Sequence, residues 1–454
     1  MIYRILKPII KMSLKIFFRR IIILGKTNVP KKGPAIFVAN HPSALIDPLM
    51  AASSIDRQVH FLAGREWFGN GFKAKFFKNQ LNMIPVYRPW LANGEKGSNV
   101  DMFEACYEAL TNGECIILFP EASTETVMKI RELKTGAVRI KHGFEQNREG
   151  QEVPVIPIGL SYSNAHCFQS KVVVKVGEPV QFTKKENIEG KQLFREHTTE
   201  LKNALKRTIV HIDNTANEDL VDNVSRLYMD THQDREELVS LKGEDHFDYN
   251  QTVATAIDHF EQERPEEYKK LSERVRVYFD SLHQLHVSDD FVGQTERSEI
   301  SLFHKFLLVI GFPLALLSLI VFVIPFQLTK SIFLNKFEPR LSKNKEPGTM
   351  DTSFTGTLIF GIGTIIFLLW NLAFAIKSFA IWGWIIGSIV LVGMYPLLRF
   401  GLYYAKHRTR LIRFRKTSRF HKKHEEAFDL LEKERLSLVK ELSRLHEEFD
   451  QALS

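Results

Sequence analysis

The sequence is poor in cysteine and has no pattern that would bind a metal. Only three of its 454 residues are cysteines, Cys106, Cys115 and Cys167, and no two of them form a CxxC pair. A disulfide framework is therefore excluded, which is typical of a protein in a reducing compartment. Histidine pairs such as His283 and His286 lie among charged residues, where solvated side chains are expected. We therefore expect no metal and no cofactor.

The chain also lacks internal repeats and low-complexity tracts, and acidic residues are the minority among its charges. Its 61 Lys and Arg outnumber 53 Asp and Glu, which gives a formal net charge of +8. A basic protein can bind nucleic acid or an anionic membrane. Because the basic residues flank apolar segments instead of aromatic platforms for bases, we expect membrane phospholipid as a partner and no nucleic acid.

Four short apolar runs in the first third of the chain indicate buried strands. They cover residues 35–39, 59–63, 115–119 and 153–161, with polar or turn-forming residues after them. In α/β sheets, ligand sites form where such strand ends meet at one edge. We predict an α/β fold with a mixed sheet flanked by helices.

The segment NHPSALIDP at residues 40–48 follows the first of these strands and places His41 close to Asp47. A neutral imidazole can take a proton from an alcohol near pH 7, and a nearby carboxylate can fix its tautomer and stabilise the imidazolium. A substrate that brings its own hydroxyl then needs no Ser or Cys nucleophile. Taken alone, the pair is more typical of a turn or a cap, so the interpretation depends on the segments that follow.

Four sequence blocks in this order resemble the glycerolipid acyltransferases, the family of glycerol-3-phosphate and lysophosphatidic acid acyltransferases. They are NHPSALIDP at 40–48, IPVYR at 84–88, FPEAST at 119–124 and VPVIPIGL at 153–160. Lys134-Thr135-Gly136 also resembles the Lys-x-Gly that follows the third block. The resemblance covers about residues 20–180. The helical stretch after it is similar to the branch of fungal glycerol-3-phosphate acyltransferases.

The resemblance implies acyl transfer from a thioester, either acyl-CoA or acyl carrier protein, to a hydroxyl of glycerol 3-phosphate or its 1-acyl form in phospholipid biosynthesis. His41 would deprotonate this hydroxyl, and Asp47 would orient and support His41. Arg88 offers a planar fork suited to the substrate phosphate. The other substrate-binding residues implied are Glu121, for the glycerol end, with Ser123, Thr124 and Lys134 assisting.

Two departures from the family pattern matter for this assignment. Five residues, Pro42 to Ile46, separate the histidine from the aspartate where four are usual, so the hydrogen bond between them needs to be shown. Ala122 stands where the family usually has Gly; if φ is positive there, alanine costs about 1 kcal/mol of strain. Ser123 and Thr124 are equally plausible as N-caps of a helix beginning near Glu125.

The N-terminus has a repeating basic pattern. Its basic residues recur every three or four positions with apolar residues between them: Arg4, Lys7, Lys11, Lys15 and Arg19. This pattern predicts that residues 1–25 form an amphipathic helix lying on an anionic leaflet. An ordinary helix packed on the protein is the alternative.

Long apolar runs in the last third of the chain predict a membrane anchor. Residues 306–326, 354–376 and 380–398 each approach the ~20 residues that cross a bilayer as a helix. The tail after the third run and the connection at 330–345 are both basic, which places both in the cytoplasm. We therefore predict that 306–326 is a re-entrant hairpin bent near Pro313, that the other two runs cross, and that the catalytic domain and tail face the cytoplasm.

The remaining boundaries follow from composition. We expect a catalytic domain at 26–182, a helical accessory segment at 183–300, the membrane region at 301–400, and a basic tail with a helix at 401–454. That last helix has apolar residues at mostly three- and four-residue spacing, which predicts either a short coiled coil or a helix folded onto the soluble part. A coiled coil would form a homodimer, whereas a helix folded onto the soluble part would not require one.

Two other functions remain open from the sequence. One is a remodelling enzyme that acylates another lysophospholipid, and the other is a non-catalytic lipid-binding scaffold in the membrane. The intact set of His41, Asp47, Arg88 and Glu121 argues against the scaffold. The acceptor, the acyl donor, its chain length and the number of spans are not decided by the sequence.

Overall fold

The computed structural model describes residues 2–69, 71–88, 97–148, 151–183, 189–229, 243–293, 306, 308–339 and 354–453. These residues form two compact units. One comprises Met1–His211 with Phe333–Gly361, and the other comprises Ile212–Ile332 with Ile362–Ser454. The first unit extends past the predicted boundary at residue 182, and the predicted domain limits remain sequence-based proposals.

The first unit is built on a seven-stranded mixed sheet, which confirms the predicted α/β class. Its strands are β1 Arg20–Leu24, β2 Ala35–Ala39, β3 Val59–Gly64, β4 Met83–Val86, β5 Cys115–Leu118, β6 Val155–Tyr162 and β7 Lys171–Val176. They are ordered β1-β7-β6-β2-β5-β3-β4. Strands β6, β2, β5, β3 and β4 pair in parallel, β7 is antiparallel to β6, and β1 is parallel to β7. The carboxyl ends of the five parallel strands therefore meet at one edge.

The central strand β2 shows why both faces of the sheet are covered. All five of its residues are buried, as a two-sided strand requires. Ala35, Phe37 and Ala39 point to one face, where they pack with residues of helices α1 Ile2–Phe17 and α2 Ile46–Ser54. Ile36 and Val38 point to the other face, against helices α4 Val100–Thr111, α5 Gly136–Asn147 and α6 Gly190–Lys206. A further helix, α3 Phe72–Leu81, connects β3 to β4.

Helix α1 packs on the protein, which was the alternative to the predicted interface helix. Leu14 and Phe17 are buried in the core of the first face. The Lys7 ammonium donates to the carbonyl oxygens of Ile55 and Arg57, at 2.7 Å each. Burial lowers the pKa of Lys7 to about 8. Two of its predicted lipid-facing lysines, Lys7 and Lys11, thus have protein partners, Lys11 at 3.3 Å from an Asp56 oxygen.

The second unit consists of helices in the residues that the structure describes, and we call it the helical unit. It contains α7 Glu218–Met229, α8 Gly243–Glu263, α9 Pro265–Gln284, α10 Asp289–Val292 and, near the end of the chain, α13 Glu425–Leu453. The apolar side of α13 is buried within this unit through Phe428, Leu438, Leu442, Leu445 and Phe449. Phe449 and Leu445 pack with Phe260 of α8. Within the described residues the helix is folded onto its own unit, and a coiled coil or homodimer remains a prediction.

Among the residues that the structure describes, two helices are long and apolar enough to cross a membrane. They are α11 Phe312–Ile332, continued by a π-helical turn to Phe337, and α12 Thr355–Lys423. Phe322 and Phe326 of α11 pack on Phe367 of α12, with ring centroids 6.0 and 4.9 Å apart. The number of crossings and the cytoplasmic orientation remain predictions.

The bend predicted near Pro313 falls at the start of α11, and the re-entrant hairpin remains a prediction. Pro313 is the second residue of α11, where a proline needs no hydrogen-bond partner for its nitrogen, and the helix then continues to Ile332. The second and third apolar runs also share one helix, α12, which has a kink at Gly383 with φ 74° and ψ −179°. A glycine is required at this kink because other residues rarely adopt that conformation.

Candidate active site

The loop after β2 is tied to β6 before it reaches the histidine. The Asn40 side chain accepts from the Leu160 backbone N–H at 2.7 Å and donates to the Leu160 carbonyl at 3.0 Å. This two-way contact continues the pairing of β2 with β6 by one residue. His41 therefore leaves the sheet at a defined position on the edge where the parallel strands end.

The hydrogen bond between His41 and Asp47 is present despite the five-residue spacing. His41 Nδ1 lies 2.8 Å from Asp47 Oδ2, and Asp47 belongs to the first turn of α2. The Asp47 side chain is fully buried, whereas 18% of the His41 side chain is exposed. An Nδ1–H donated to the carboxylate leaves Nε2 as the acceptor nitrogen. The exposed imidazole can thus take a proton from outside the protein.

Two further donors hold Asp47 in place. The Ser43 backbone N–H donates to Oδ2 at 2.6 Å, and the Tyr162 hydroxyl donates to Oδ1 at 2.8 Å. Burial, and after it the adjacent Asp47, raises the pKa of Tyr162 well above its ordinary value, so the tyrosine remains a neutral donor. Tyr162 was not predicted from the sequence; its place at the end of the fourth apolar strand was the available signal.

Glu121 is a second buried carboxylate at this edge, and other residues of the domain bind it. Its Oε2 accepts from the His41 backbone N–H at 3.1 Å and from the Arg131 guanidinium at 2.7 Å. Its Oε1 accepts from the Arg131 backbone N–H at 3.2 Å. Arg131 also donates to the Ser123 hydroxyl at 2.6 Å. Glu121 thereby joins the histidine loop to the loop that follows β5.

Arg131 was also missed by the sequence interpretation, because nothing in the motif marks an arginine ten residues after Glu121. The expected helix near Glu125 is wrong, since α5 begins only at Gly136. Ser123 and Thr124 therefore lie in a loop and cap no helix there. The Arg131 contacts order this loop in place of helical hydrogen bonds.

The remaining predicted binding residues lie at the same edge of the sheet or in the loop after β5. Arg88 follows β4 and forms an ion pair with Glu66 at 3.4 Å, with 24% of its side chain exposed. Three strand spacings, about 14 Å, separate β4 from β2, so Arg88 and His41 can contact one substrate only from opposite ends. Lys134 is exposed just before α5, and its backbone N–H donates to the Pro120 carbonyl at 2.9 Å. Thr124 is half-buried next to Ser123.

Ala122 has a positive φ, a backbone conformation that favours the glycine usually found at this position of the family pattern. Its φ is 61°, and Ala44 in the histidine loop has a φ of 40°. A side chain in this left-handed region costs about 1–2 kcal/mol. Such strain persists only where neighbouring contacts hold the backbone, and both residues lie in the loops that carry His41 and Glu121.

The first turn of α12 contacts the histidine loop within the same unit. The Thr357 hydroxyl donates to the Ser43 carbonyl at 3.3 Å. Gly356 packs so closely that an added Cβ would lie 2.4 Å from the Ala165 carbonyl oxygen. Phe360 contacts Phe17 of α1 edge-on, with ring centroids 5.6 Å apart. No local sequence signal indicates these contacts, which join residues far apart in the chain, as Thr357 and Ser43 show.

Comparisons with known proteins found a family model, yeast proteins and a solved structure that are similar to this chain. Residues 20–161 match the family model described as Acyltransferase, and they include His41, Asp47, Arg88 and Glu121. Residues 20–161 of this chain are therefore similar to an acyltransferase domain. The chain is similar to glycerol-3-phosphate O-acyltransferase 1 of Saccharomyces cerevisiae, with 21% identity in an alignment of 452 residues that covers 78% of this chain. It spans 59% of the length of that relative.

Two shorter similarities were also found. Glycerol-3-phosphate O-acyltransferase 2 of Saccharomyces cerevisiae is 28% identical over 86 residues, which is 19% of this chain and 12% of the yeast protein. The crystal structure of the 1-acyl-sn-glycerophosphate acyltransferase PlsC from Thermotoga maritima aligns with 44% of this chain and 77% of its own, at 23% identity and a TM-score of 0.32.

Proposed function

We propose that this protein is a membrane-bound acyltransferase that transfers a fatty acyl group from an acyl thioester to the hydroxyl of glycerol 3-phosphate or 1-acylglycerol 3-phosphate. The observation that carries the proposal is the contact of His41 Nδ1 with a fully buried Asp47, which leaves the other nitrogen of a partly exposed ring as a base. The similarity to a yeast glycerol-3-phosphate O-acyltransferase supports the acceptor class.

The proposed reaction passes one proton through His41. Nε2 takes the proton of the acceptor hydroxyl as its oxygen attacks the thioester carbonyl, and a tetrahedral intermediate forms. The buried Asp47 stabilises the imidazolium across the 2.8 Å hydrogen bond. The carbon–sulfur bond then breaks, and the leaving thiolate takes the proton back from Nε2. The products are the ester and the free thiol, and His41 ends in its starting state.

The other residues would bind the acceptor. Arg88 would bind its phosphate in a bidentate contact, with Glu66 fixing the guanidinium from the protein side. Lys134 would add a second positive charge. Glu121, held by Arg131, would receive the glycerol end, and Ser123 or Thr124 would assist. The donor, acyl-CoA or acyl carrier protein, would be a co-substrate, with no metal or other cofactor.

The decisive experiment compares His41 with a matched histidine. His60 Nε2 lies 2.7 Å from Glu114 Oε2, so it is a second histidine–carboxylate pair in the same sheet. Membranes carrying wild type, His41→Ala or His60→Ala would be given radiolabelled glycerol 3-phosphate and lysophosphatidic acid separately. We expect acylation of one acceptor, lost only in His41→Ala. Equal activity in His41→Ala and His60→Ala would refute the mechanism.

Failure on both acceptors would point to the other candidates. Activity on a different lysophospholipid, still lost in His41→Ala, would identify a remodelling enzyme. Lipid binding without any acyl transfer would identify a scaffold. The hydrogen-bonded and partly exposed histidine favours an enzyme over the scaffold, because a binding protein has no use for a buried carboxylate that fixes the tautomer.

A further inference from the structure

Helix α3 has an apolar surface that its own unit leaves uncovered. None of its ten residues is buried. Phe72 exposes 83% of its surface, and Trp67, five residues earlier, exposes 40%. Placing aromatic rings in water costs free energy, and exposed rings grouped in one segment mark a contact surface.

The same segment is basic and has no acidic residue. Between Trp67 and Leu81 the charged residues are Lys73, Lys75 and Lys78. Phe72, Lys75 and Phe76 share one side of the helix, since residues three and four apart are neighbours, and the Phe72 and Phe76 rings lie 6.4 Å apart. Aromatic rings beside lysines suit the headgroup level of a bilayer, where the rings are partly buried and the ammonium groups meet anionic lipid.

A contact within this unit connects the segment to the start of an apolar helix. The Trp67 ring stacks on Phe354, with centroids 6.3 Å apart. Phe354 directly precedes α12, one of the two helices apolar enough to cross a membrane. A bilayer that receives the start of α12 therefore has its surface at the level of Trp67.

We propose that Trp67 and helix α3 form an interface patch that seats the α/β unit on an anionic phospholipid bilayer. The partner is the headgroup layer of the membrane that α12 enters. The patch is separate from residues 1–25, where Lys7 and Lys11 have protein partners and the predicted membrane contact remains a prediction. This proposal concerns the membrane surface and does not depend on the acyl-transfer reaction.

The test measures the depth of single labels in the full chain reconstituted into nanodiscs with anionic lipid. The background is Cys167→Ser, because the other two cysteines are buried. A fluorescent label is attached at Phe72→Cys or at the exposed Lys75→Cys. Glu104→Cys on α4 is the matched control, because α4 covers the opposite face of the sheet. Leu369→Cys, on the exposed side of α12, reports the bilayer interior.

We expect nitroxides near the lipid headgroups to quench the labels at positions 72 and 75 but not the label at Glu104→Cys. Labels at 72 and 75 that behave like the Glu104→Cys label would overturn the proposal. So would equal quenching in purely neutral lipid, since the lysines would then have no anionic partner. Because positions 72 and 75 are both exposed, labelling either one should leave the fold intact, and the two labels check each other.

Acyl transfer measured on the same nanodiscs separates the two proposals. Active protein with unquenched labels at 72 and 75 would refute the interface patch and keep the proposed reaction. Quenched labels on protein that transfers no acyl group to glycerol 3-phosphate or to any lysophospholipid would refute the reaction and keep the patch.

Discussion

Asp47 in the α/β unit and Asp289 in the helical unit are both buried carboxylates that accept a hydrogen bond from a tyrosine hydroxyl. Tyr162 donates to Asp47 at 2.8 Å, and Tyr278 donates to Asp289 at 2.6 Å. The two aspartates differ in the nitrogen-bearing side chain that each contacts. Asp47 contacts an imidazole that is 18% exposed, whereas Asp289 contacts the Arg435 guanidinium at 3.0 Å, a side chain only 2% exposed.

The difference decides what each carboxylate can do. Imidazole exchanges a proton near neutral pH, so the Asp47 charge can stabilise a transient imidazolium. Guanidinium keeps its proton at all accessible pH values, so the Asp289 pair is permanent. In the helical unit the pair joins α10 to α13, and Arg435 also reaches the Leu227 carbonyl of α7 at 3.5 Å. A similar carboxylate–tyrosine arrangement thus supports the proposed proton transfer in one unit and joins helices in the other.

The largest expected effect comes from breaking the first arrangement, the contact of His41 with Asp47. His41→Ala should lower kcat for acyl transfer about 10²–10⁴-fold, because the general base is removed. Asp47→Asn should lower it by less while KM for the acceptor changes little, since the base remains but loses its charged support. Steady-state kinetics on purified protein would check both. An unchanged kcat in Asp47→Asn would contradict the role given to the carboxylate.

Breaking the second arrangement should affect stability. Arg435→Met should cost about 3–5 kcal/mol in the helical unit, because Asp289 would be left buried and unpaired. Hydrogen exchange of α9 and α13 would show the loss as faster opening. The double variant Arg435→Met with Asp289→Leu should recover most of it. Slow exchange in the single variant would mean that water already reaches the pair.

A matched pair of tyrosine substitutions sharpens the comparison. Tyr162→Phe should lower kcat about tenfold, the equivalent of one hydrogen bond to a charged group. Tyr278→Phe should lower the stability of the helical unit by a similar free energy and leave kcat unchanged. Kinetics and thermal unfolding, both measured on each variant, would check this. Equal kinetic losses in both variants would remove the distinction between the two aspartates.

Lys7 is a half-buried charge that contacts neutral carbonyls instead of a buried carboxylate. Its pKa is lowered from 10.5 to about 8, so between these pH values the unfolded chain binds the extra proton and folding stability rises with pH. Burial raises the pKa of Cys106 to about 12 and that of Cys115 to about 11, which acts in the opposite direction.

The difference in stability between wild type and Lys7→Met isolates the lysine, because the cysteines are common to both. We expect it to change in favour of wild type from about pH 8 to pH 10.5 and to be flat below pH 8. Denaturant unfolding at several pH values would measure it. A flat difference over the whole range would show that Lys7 stays solvated.

The smallest expected effect concerns the strain beside Glu121. Ala122→Gly should raise stability by about 1 kcal/mol, because glycine adopts φ 61° without a steric cost. Ala137→Gly in α5 is the control, and it should lower stability by a similar amount. Thermal unfolding would measure both. A loss of stability in Ala122→Gly would mean that the Cβ contributes packing that outweighs the strain.

Much of the site could be predicted because its motifs are local. His41 and Glu121 lie in loops that directly follow buried strands, Asp47 lies in the first turn of the helix after His41, and the order of the strands brings these segments to one edge. Arg131 and Tyr162 could not be predicted, since they reach the two carboxylates from distant positions through the fold. The predicted helix near Glu125 was wrong because the Arg131 contacts satisfy that loop instead.

The sequence by itself determined much of the secondary structure and the candidate residues: which runs form strands, which segments are apolar enough for a membrane, and which side chains are proposed to move a proton. These properties depend on residue type and spacing over short distances. Only the tertiary structure decided which side of an amphipathic helix is covered, as in α1 and α13, and that the first turn of α12 contacts the Ser43 carbonyl. Such choices depend on long-range packing, where a periodic pattern shows that a face is apolar but not what covers it.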